Sequence, residues 1–245
     1  MTRWNARSFA LILGALAAGS LCAQPSYPSG TIYFNAADYG GPPVADAPYC
    51  AERRNVRVVT QPDGTQQTLE YDPRRICRDS AGRVRYEGPV FAQPGGPAVD
   101  PPMIEIRDPI AGARYVIYAV DKAVYRQPLR PLRTLHPPER MPLPADPAIR
   151  NTEQDLGTQT MEGLEVIGRR YILNATTTSE QWWSPDIGEF VLEKETSAVN
   201  GELTHRLIHV TRDEPDPELF RLPPDYAVID KTTDFTILWG QPTRN

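Results

Sequence analysis

Proline is the feature that most constrains how this chain can fold. The sequence holds 26 prolines, about twice the usual share. Each proline removes a backbone donor, and it breaks a helix or a central strand. The sequence therefore favours short strands joined by turns, and it predicts no helix of ordinary length.

The first residues have the pattern of a secretory signal peptide. Arg3 and Arg7 precede an uncharged apolar stretch, Phe9–Leu21, and the small residue Ala23 comes before Gln24. We expect cleavage after Ala23 and export to the periplasm or beyond.

A lipoprotein signal is the alternative reading of the same segment. In that case Cys22 is acylated after cleavage in front of it, but the large residue Leu21 occupies the position where a small residue is usual. The apolar stretch falls short of the roughly 20 residues that a transmembrane helix needs. No transmembrane span is predicted.

Composition limits the classes of partner. Removing residues 1–23 from the 245 leaves 222, and the loss of two arginines changes the formal net charge from −5 to −7. A moderately acidic chain lacks the basic surface of a nucleic-acid binder. Residues 24–48 are predicted to be a loosely ordered leader, residues 49–230 a single β domain, and residues 231–245 a C-terminal tail.

Short runs of β-branched and aromatic residues alternate with turn residues throughout the predicted domain. The first meander has its strands at Tyr49–Thr60, Thr65–Ile76, Arg83–Glu87, Met103–Arg107, Arg114–Ala119 and Ala123–Gln127. The second has them at Asp155–Thr160, Leu164–Leu173, Thr177–Ser184, Glu189–Thr196 and Glu202–Arg212. The proline-rich segment 128–150 joins the meanders, and Asp216 and Pro217 begin a short helix. We expect a mainly β fold, a curved antiparallel sheet or half-open β-barrel with short helical segments.

Cys50 and Cys77 are the cysteines that remain after signal cleavage, and an oxidising compartment favours a disulfide between them. A two-residue turn at Asp63-Gly64 places them opposite each other in a hairpin. The same register pairs Val56 with Tyr71, Val58 with Leu69, and Arg57 with Glu70. Pro73 allows a bulge that shifts the far end. The alternative is two unpaired thiols in the core.

Motifs that carry catalysis or hold a cofactor are absent from the sequence: it has no phosphate-binding loop, nucleophile elbow or zinc-protease helix. His205 and His209 have a spacing that puts them on one face of a strand, but no third metal ligand is evident. Glu193 and Glu195 share a face and are expected to be solvated. The sequence therefore predicts a protein that is not an enzyme, with no metal and no cofactor.

Trp182 and Trp183 are the strongest candidates for ligand contact. Successive side chains of a strand point to opposite faces, so one of the two rings should face the less buried side. That ring either grips an apolar ligand or covers the core of the sheet.

Several stretches resemble a group of secreted bacterial proteins of unknown function that carry an Arg-Asp-Ser-x-Gly-Arg hairpin. These stretches are Arg78–Arg85, Asp108–Val116, Leu156–Gly163, Trp182–Asp186 and Glu214–Phe220, the last followed by Pro223 and Tyr226. The second half also resembles the LolA/LolB-like periplasmic lipoprotein carrier fold. That resemblance implies an incomplete barrel that shelters acyl chains.

The cysteine pair and the segment 128–150 depart from the carrier pattern, so carrier activity is not implied. Two hypotheses remain for a non-catalytic envelope protein. The first is binding of a lipid or another apolar ligand in the cleft of the half-barrel, at Trp182 or Trp183. The second is a protein-interaction or envelope-stress sensing module.

Overall fold

The computed structural model describes residues 30–34, 44–61, 63–89, 102–129, 144 and 146–239. The predicted signal peptide, Cys22 and the cleavage site after Ala23 lie outside these residues, as does most of the segment 128–150. No helix in the described part of the chain is long and apolar enough to cross a membrane.

The described residues fold mainly into strands, with one helical turn at Pro147–Arg150 and a 3-10 helix at Pro217–Phe220. The strands are β1 (Gly30–Phe34), β2 (Tyr49–Thr60), β3 (Gln66–Arg78), β4 (Val84–Gly88), β5 (Met103–Asp108), β6 (Ala113–Tyr118), β7 (Ala123–Pro128), β8 (Gln154–Met161), β9 (Leu164–Asn174), β10 (Thr177–Ser184), β11 (Glu189–Ser197), β12 (Gly201–Thr211), β13 (Ala227–Asp230) and β14 (Phe235–Trp239). Every strand predicted in the two meanders is present, with bounds that differ by at most two residues.

One sheet contains both meanders. Its order is β13-β7-β6-β5-β4-β3-β2-β12-β11-β10-β9-β8. The meanders meet where β2 pairs antiparallel with β12, and the one parallel pair in this sheet is β13 with β7. The sheet is curved and open, because its outer strands β13 and β8 do not pair with each other. The expected mainly β fold with one curved antiparallel sheet is confirmed.

The curvature brings the turn between β8 and β9 onto β12. Glu162 in that turn accepts hydrogen bonds from the Arg206 side chain at 3.2 Å and from the backbone N–H of His209 at 3.0 Å. In the sheet, β11 and β10 lie between β9 and β12. The second meander therefore rolls over upon itself.

The β2–β3 hairpin has the predicted cysteine pairing but not the predicted register near its turn. Cys50 lies opposite Cys77, and a disulfide joins them with their Cα atoms 4.1 Å apart. Nearer the turn, Val56 lies opposite Glu70, Arg57 opposite Leu69, and Val58 opposite Thr68. The expected pairs of Val56 with Tyr71, Val58 with Leu69 and Arg57 with Glu70 are wrong by one residue.

Two irregularities explain this register. The turn places three residues, 62–64, between Gln61 and Thr65, whose backbones are hydrogen-bonded at 2.8 Å, and Gly64 has a φ of 83°. Further along, β3 has one extra residue opposite Arg54, beside Pro73, which has no N–H to donate. The two shifts cancel, so the cysteines face each other although the assumed turn was wrong.

The disulfide belongs to a core on one side of the first meander. Cys77 is 1% exposed and packs in a cluster with Ile106, Ile117, Val124 and Phe220. Phe220 ends the 3-10 helix, which begins as predicted: the Asp216 side chain accepts from the Glu218 N–H at 2.9 Å. The helix therefore covers this side of the sheet.

Strands β1 and β14 form a separate two-stranded ribbon. Its inward side chains are packed against β6 in a buried cluster of Ile32, Phe34, Phe235, Ile237, Val116 and Tyr118. The first strand lies within the segment expected to be a loose leader, and the second lies within the expected tail. Burial against β6 orders both, since a two-stranded ribbon alone is only marginally stable.

The hairpin between β3 and β4 connects parts of the chain that are distant in sequence. Arg78 is 4% exposed, donates to the Ala47 carbonyl at 2.8 and 3.0 Å, and also donates to the Ile187 carbonyl. Asp79 accepts from the Arg83 backbone at 2.8 Å and from its side chain at 2.6 Å. The Arg-Asp-Ser-Ala-Gly-Arg stretch therefore holds together segments that are distant in sequence.

Loss of the disulfide should destabilise the fold. Closing a loop with a sequence separation of 27 restricts the unfolded chain, and we expect roughly 3 to 4 kcal/mol less free energy of unfolding in the double Cys50→Ala, Cys77→Ala variant. Denaturant titrations with and without reductant measure this. The wild type should respond to reductant and the double variant should not, whereas equal stability of the two oxidised proteins contradicts the prediction.

Candidate functional site

The two candidate tryptophans lie inside the protein. Trp182 is 8% exposed and Trp183 is 7% exposed. Trp182 packs over Gly168, where an added Cβ would come within 2.5 Å of the indole ring, and its Nε1 donates to Glu180 at 2.8 Å. Trp183 packs edge-on against Phe190, with ring centroids 4.9 Å apart. The expectation that one of the rings faces an open side is not met.

The two histidines of β12 are separated by a bulge. His209 has a left-handed φ of 55°, and the register between β12 and β2 shifts around it. Its Nδ1 lies 3.4 Å from Glu52, whereas His205 Nδ1 lies 2.6 Å from Asn55 Oδ1. Residues 52 and 55 of a regular strand point to opposite faces. The expectation that the histidines share a face is wrong, and the described residues contain no cluster of metal-ligating side chains.

A row of polar residues crosses the sheet at His205. Asn55 and Glu193 both lie directly opposite His205, Gln181 lies opposite Glu193, and Arg169 lies opposite Gln181. Directly paired residues point to the same face. We call these five side chains the polar row and their side of the sheet the His205 face. The row runs across β2, β12, β11, β10 and β9.

Every member of the polar row is half-buried. Burial lowers the pKa of His205, and the nearby Arg53 lowers it further. Burial raises the pKa of Glu193, and the attraction of Arg53 opposes that shift. The His205 face is therefore partly shielded from water, which disfavours both charged forms.

Ion pairs occupy both ends of this face. Arg53 approaches Glu189 at 3.7 Å, and the Tyr49 hydroxyl donates to the same carboxylate at 3.5 Å. At the other end Arg169 is paired with Glu153. These carboxylates already have partners, so a ligand meets the side chains between them.

The middle of the face holds charged and polar groups that have no hydrogen-bond or ion-pair partner among the described residues. Arg57 lies two residues beyond Asn55 on β2, half-buried and flanked in register by Leu69 and Leu203. Its Nε is fully buried and, within the described part of the chain, makes no hydrogen bond, and the guanidinium forms no ion pair there. The Glu193 carboxylate and the Gln181 amide likewise have no hydrogen bond to described residues.

The sequence identified only part of this site. Glu193 and Glu195 do share a face, but only Glu195 is exposed, and the half-buried Glu193 is not the solvated residue that was expected. No sequence pattern pointed to Asn55 and Arg57, because their proximity to Glu193 depends on the pairing of β2 with β12. Gln181 and Arg169 come beside Glu193 through the registers of the hairpins that join β9, β10 and β11, and those registers were not predicted. Alternation within each strand could have placed them on a face, but not beside one another.

Comparison with known proteins gives structural likenesses. No protein-family model matches the chain, and no curated protein matches it. Structural similarity is found to an uncharacterized conserved protein from Thermus thermophilus, with 9% identity, a TM-score of 0.44, and coverage of 76% of this chain and 91% of that one. MucB of Pseudomonas aeruginosa, solved in complex with MucA, gives 12% identity and a TM-score of 0.39, and the match covers 74% of this chain but only 58% of that one.

A LolA superfamily protein from Nitrosomonas europaea is also similar, with 5% identity, a TM-score of 0.30, and coverage of 74% of this chain and 93% of that one. The same superfamily was named by the resemblance in the sequence.

Replacing Glu193 should stabilise the protein at neutral pH. Because burial raises the pKa of Glu193, the folded state binds more protons than the unfolded state between the ordinary and the raised pKa, and stability falls as pH rises through that window. Glu193→Gln removes the buried charge, so its free energy of unfolding should exceed that of the wild type at pH above the raised pKa. The difference should disappear at pH below the ordinary carboxyl pKa.

Urea titrations across this pH range measure the effect. Glu195→Gln is the matched control, because Glu195 is the exposed neighbour on the same face and should change stability little at any pH. A Glu193→Gln protein that is less stable than the wild type at neutral pH contradicts the assignment.

Proposed function

We propose that this chain is an exported, non-catalytic binding module of the bacterial envelope that binds a segment of a partner protein on the His205 face. The observation that carries the proposal is a set of half-buried charged and amide groups in the middle of an open sheet, which have no hydrogen bond or ion pair to described residues. Such groups are costly unless something pairs with them. Export by the signal peptide 1–23 and residence in the periplasm belong to the same proposal.

The His205 face is less suited to binding an apolar ligand than to binding a polar one. An acyl chain laid across the polar row would bury Arg57 and Glu193 without partners, which opposes binding. In the described residues, the exposed large apolar side chains lie elsewhere, mostly in turns, at the edge strand β13 and on the ribbon: Tyr33, Ile110, Val120, Ile172, Val199, Val228, Ile229 and Leu238. None of them belongs to the polar row.

The open edges of the sheet also favour a protein partner. Among the described strands, β8 lies at the edge of the sheet, and its only charged side chain is that of Asp155. An edge strand presents unpaired backbone N–H and C=O groups, and natural proteins usually protect it with charge or proline. An extended segment of a partner protein can pair with such an edge.

Site-specific photocrosslinking tests the proposal. A photoreactive residue at Leu203, which lies between Arg57 and Glu195 in register, should give a discrete protein adduct in envelopes of the source cells. The same residue at Thr204 is the matched control, because it lies next in the strand and points to the opposite face. A lipid adduct at Leu203 without any protein adduct, or equal adducts at both positions, contradicts the proposal.

The second candidate function is binding of a lipid or another apolar ligand beside the tryptophans. One observation favours it: the Trp183 Nε1 is buried and has no hydrogen-bond partner among the described residues, an uncommon state for an indole N–H. A ligand with an apolar body and an acceptor group would satisfy it.

Fluorescence titration with lysolipid distinguishes the two candidates. Since both rings are already buried, we expect no saturable change in the wild type. A saturable change that persists in Trp182→Phe and is lost in Trp183→Phe would support the second candidate and contradict the first.

A further inference from the structure

Arg57 and Glu193 are opposite charges on one face that do not neutralise each other. Arg57 lies opposite Leu203, and Glu193 lies opposite His205, two residues further along β12. Two strand spacings sideways and two residues along a strand place their Cα atoms about 12 Å apart. Neither side chain has an ion-pair partner among the described residues.

The surroundings do not explain why these charges are kept. Both side chains are half-buried, and the Arg57 Nε is buried without a hydrogen bond to described residues. Burial also raises the pKa of Glu193. Buried polar groups without partners weaken the isolated fold. Glu195, the acidic residue in register with Leu203 and hence the nearest on β11, is not paired with Arg57. A residue that weakens the free protein is expected where the compensating contact comes from a ligand.

We propose that the His205 face recognises an extended segment of the partner protein that carries an acidic and a basic side chain on the same side. The acidic side chain pairs with Arg57 and the basic one pairs with Glu193. This inference rests on the proposed function and specifies the partner's chemistry. We infer this ligand because an acidic and a basic side chain complement the charges of Arg57 and Glu193.

The separation of Arg57 and Glu193 favours a polypeptide ligand over a small zwitterion. In an extended chain, residues four apart point to the same side and are separated by about 13 Å, close to the estimated separation of Arg57 and Glu193. The two charged groups of one free amino acid are too close together to reach both side chains. The unpartnered Gln181 amide lies opposite Glu193 and can bond the segment's backbone, because an amide both donates and accepts.

Synthetic peptides test the inference directly. The probe is a threonine-rich peptide with one Glu and one Lys four positions apart, and comparison peptides replace Glu, Lys or both with Gln. The complete probe should bind about tenfold more tightly than either single replacement, since one charge-assisted pair contributes on the order of a tenfold change in affinity. Equal affinity of all four peptides overturns the inference.

Protein variants identify the contacts. Arg57→Gln should abolish the advantage of Glu in the peptide, and Glu193→Gln should abolish the advantage of Lys. Arg54→Gln is the matched control, because Arg54 is exposed on the same strand, points to the opposite face, and makes the same change in net charge. It should bind like the wild type, and a loss as large as that of Arg57→Gln overturns the inference.

A charge-reversal variant distinguishes the loss of a contact from misfolding. Arg57→Glu should prefer a probe whose Glu is replaced by Lys, a gain that damage to the fold cannot produce. Failure of the inference is also distinct from failure of the proposed function. If Leu203 crosslinks a protein equally well in wild type, Arg57→Gln and Glu193→Gln, the partner binds without these charges; if it crosslinks no protein, the function itself is wrong.

Discussion

The pairing of β2 with β12 is the constraint on which the rest of the structure depends. Each meander alone is a narrow sheet with little to bury, and their junction creates one continuous sheet and the core cluster that spans it. The junction also builds the candidate site, because it sets Asn55 opposite His205 and brings Arg57 to the face that Glu193 occupies. Fold and site thus share one set of backbone hydrogen bonds, and displacement of β12 by one residue would reverse its side chains and break the polar row.

The β3–β4 hairpin supports this junction from the side. Arg78 is almost fully buried, yet it is satisfied by carbonyls that come from before β2 and from the turn between β10 and β11. Ser80 donates through its backbone N–H to Glu214, which precedes the 3-10 helix, at 3.1 Å. The Arg-Asp-Ser-Ala-Gly-Arg stretch therefore has a structural role. Its charged residues join distant parts of the chain, and sequence similarity there says more about the fold than about a ligand.

The charged residues of the His205 face differ from those of the β3–β4 hairpin in how they are paired. Arg78 and Asp79 are buried and fully engaged, whereas Arg57 and Glu193 are half-buried and have no such partners among the described residues of the free protein. Buried charges are tolerated when hydrogen bonds and counter-charges compensate for lost hydration. A single sheet thus contains buried charges that are fully paired and half-buried charges that have no ion-pair partner among the described residues. The tandem tryptophans are also engaged within the protein, since they pack against Gly168 and Phe190.

Sequence by itself determined the elements of this protein: the two meanders, the strand bounds within them to within two residues, the capped turn at Asp216 and the identity of the disulfide partners. These follow from local chemistry, since alternation, turn residues and proline act over a few neighbouring positions. Tertiary structure alone decided the junction of β2 with β12, the ribbon of β1 with β14, and the burial of both tryptophans. Each of these features depends on which strands, distant in sequence, pair or pack together. The residues of a strand do not by themselves specify which other strand pairs with either of its edges. The polar row is the clearest case, because its five side chains come from five strands and become a site only when the sheet is assembled.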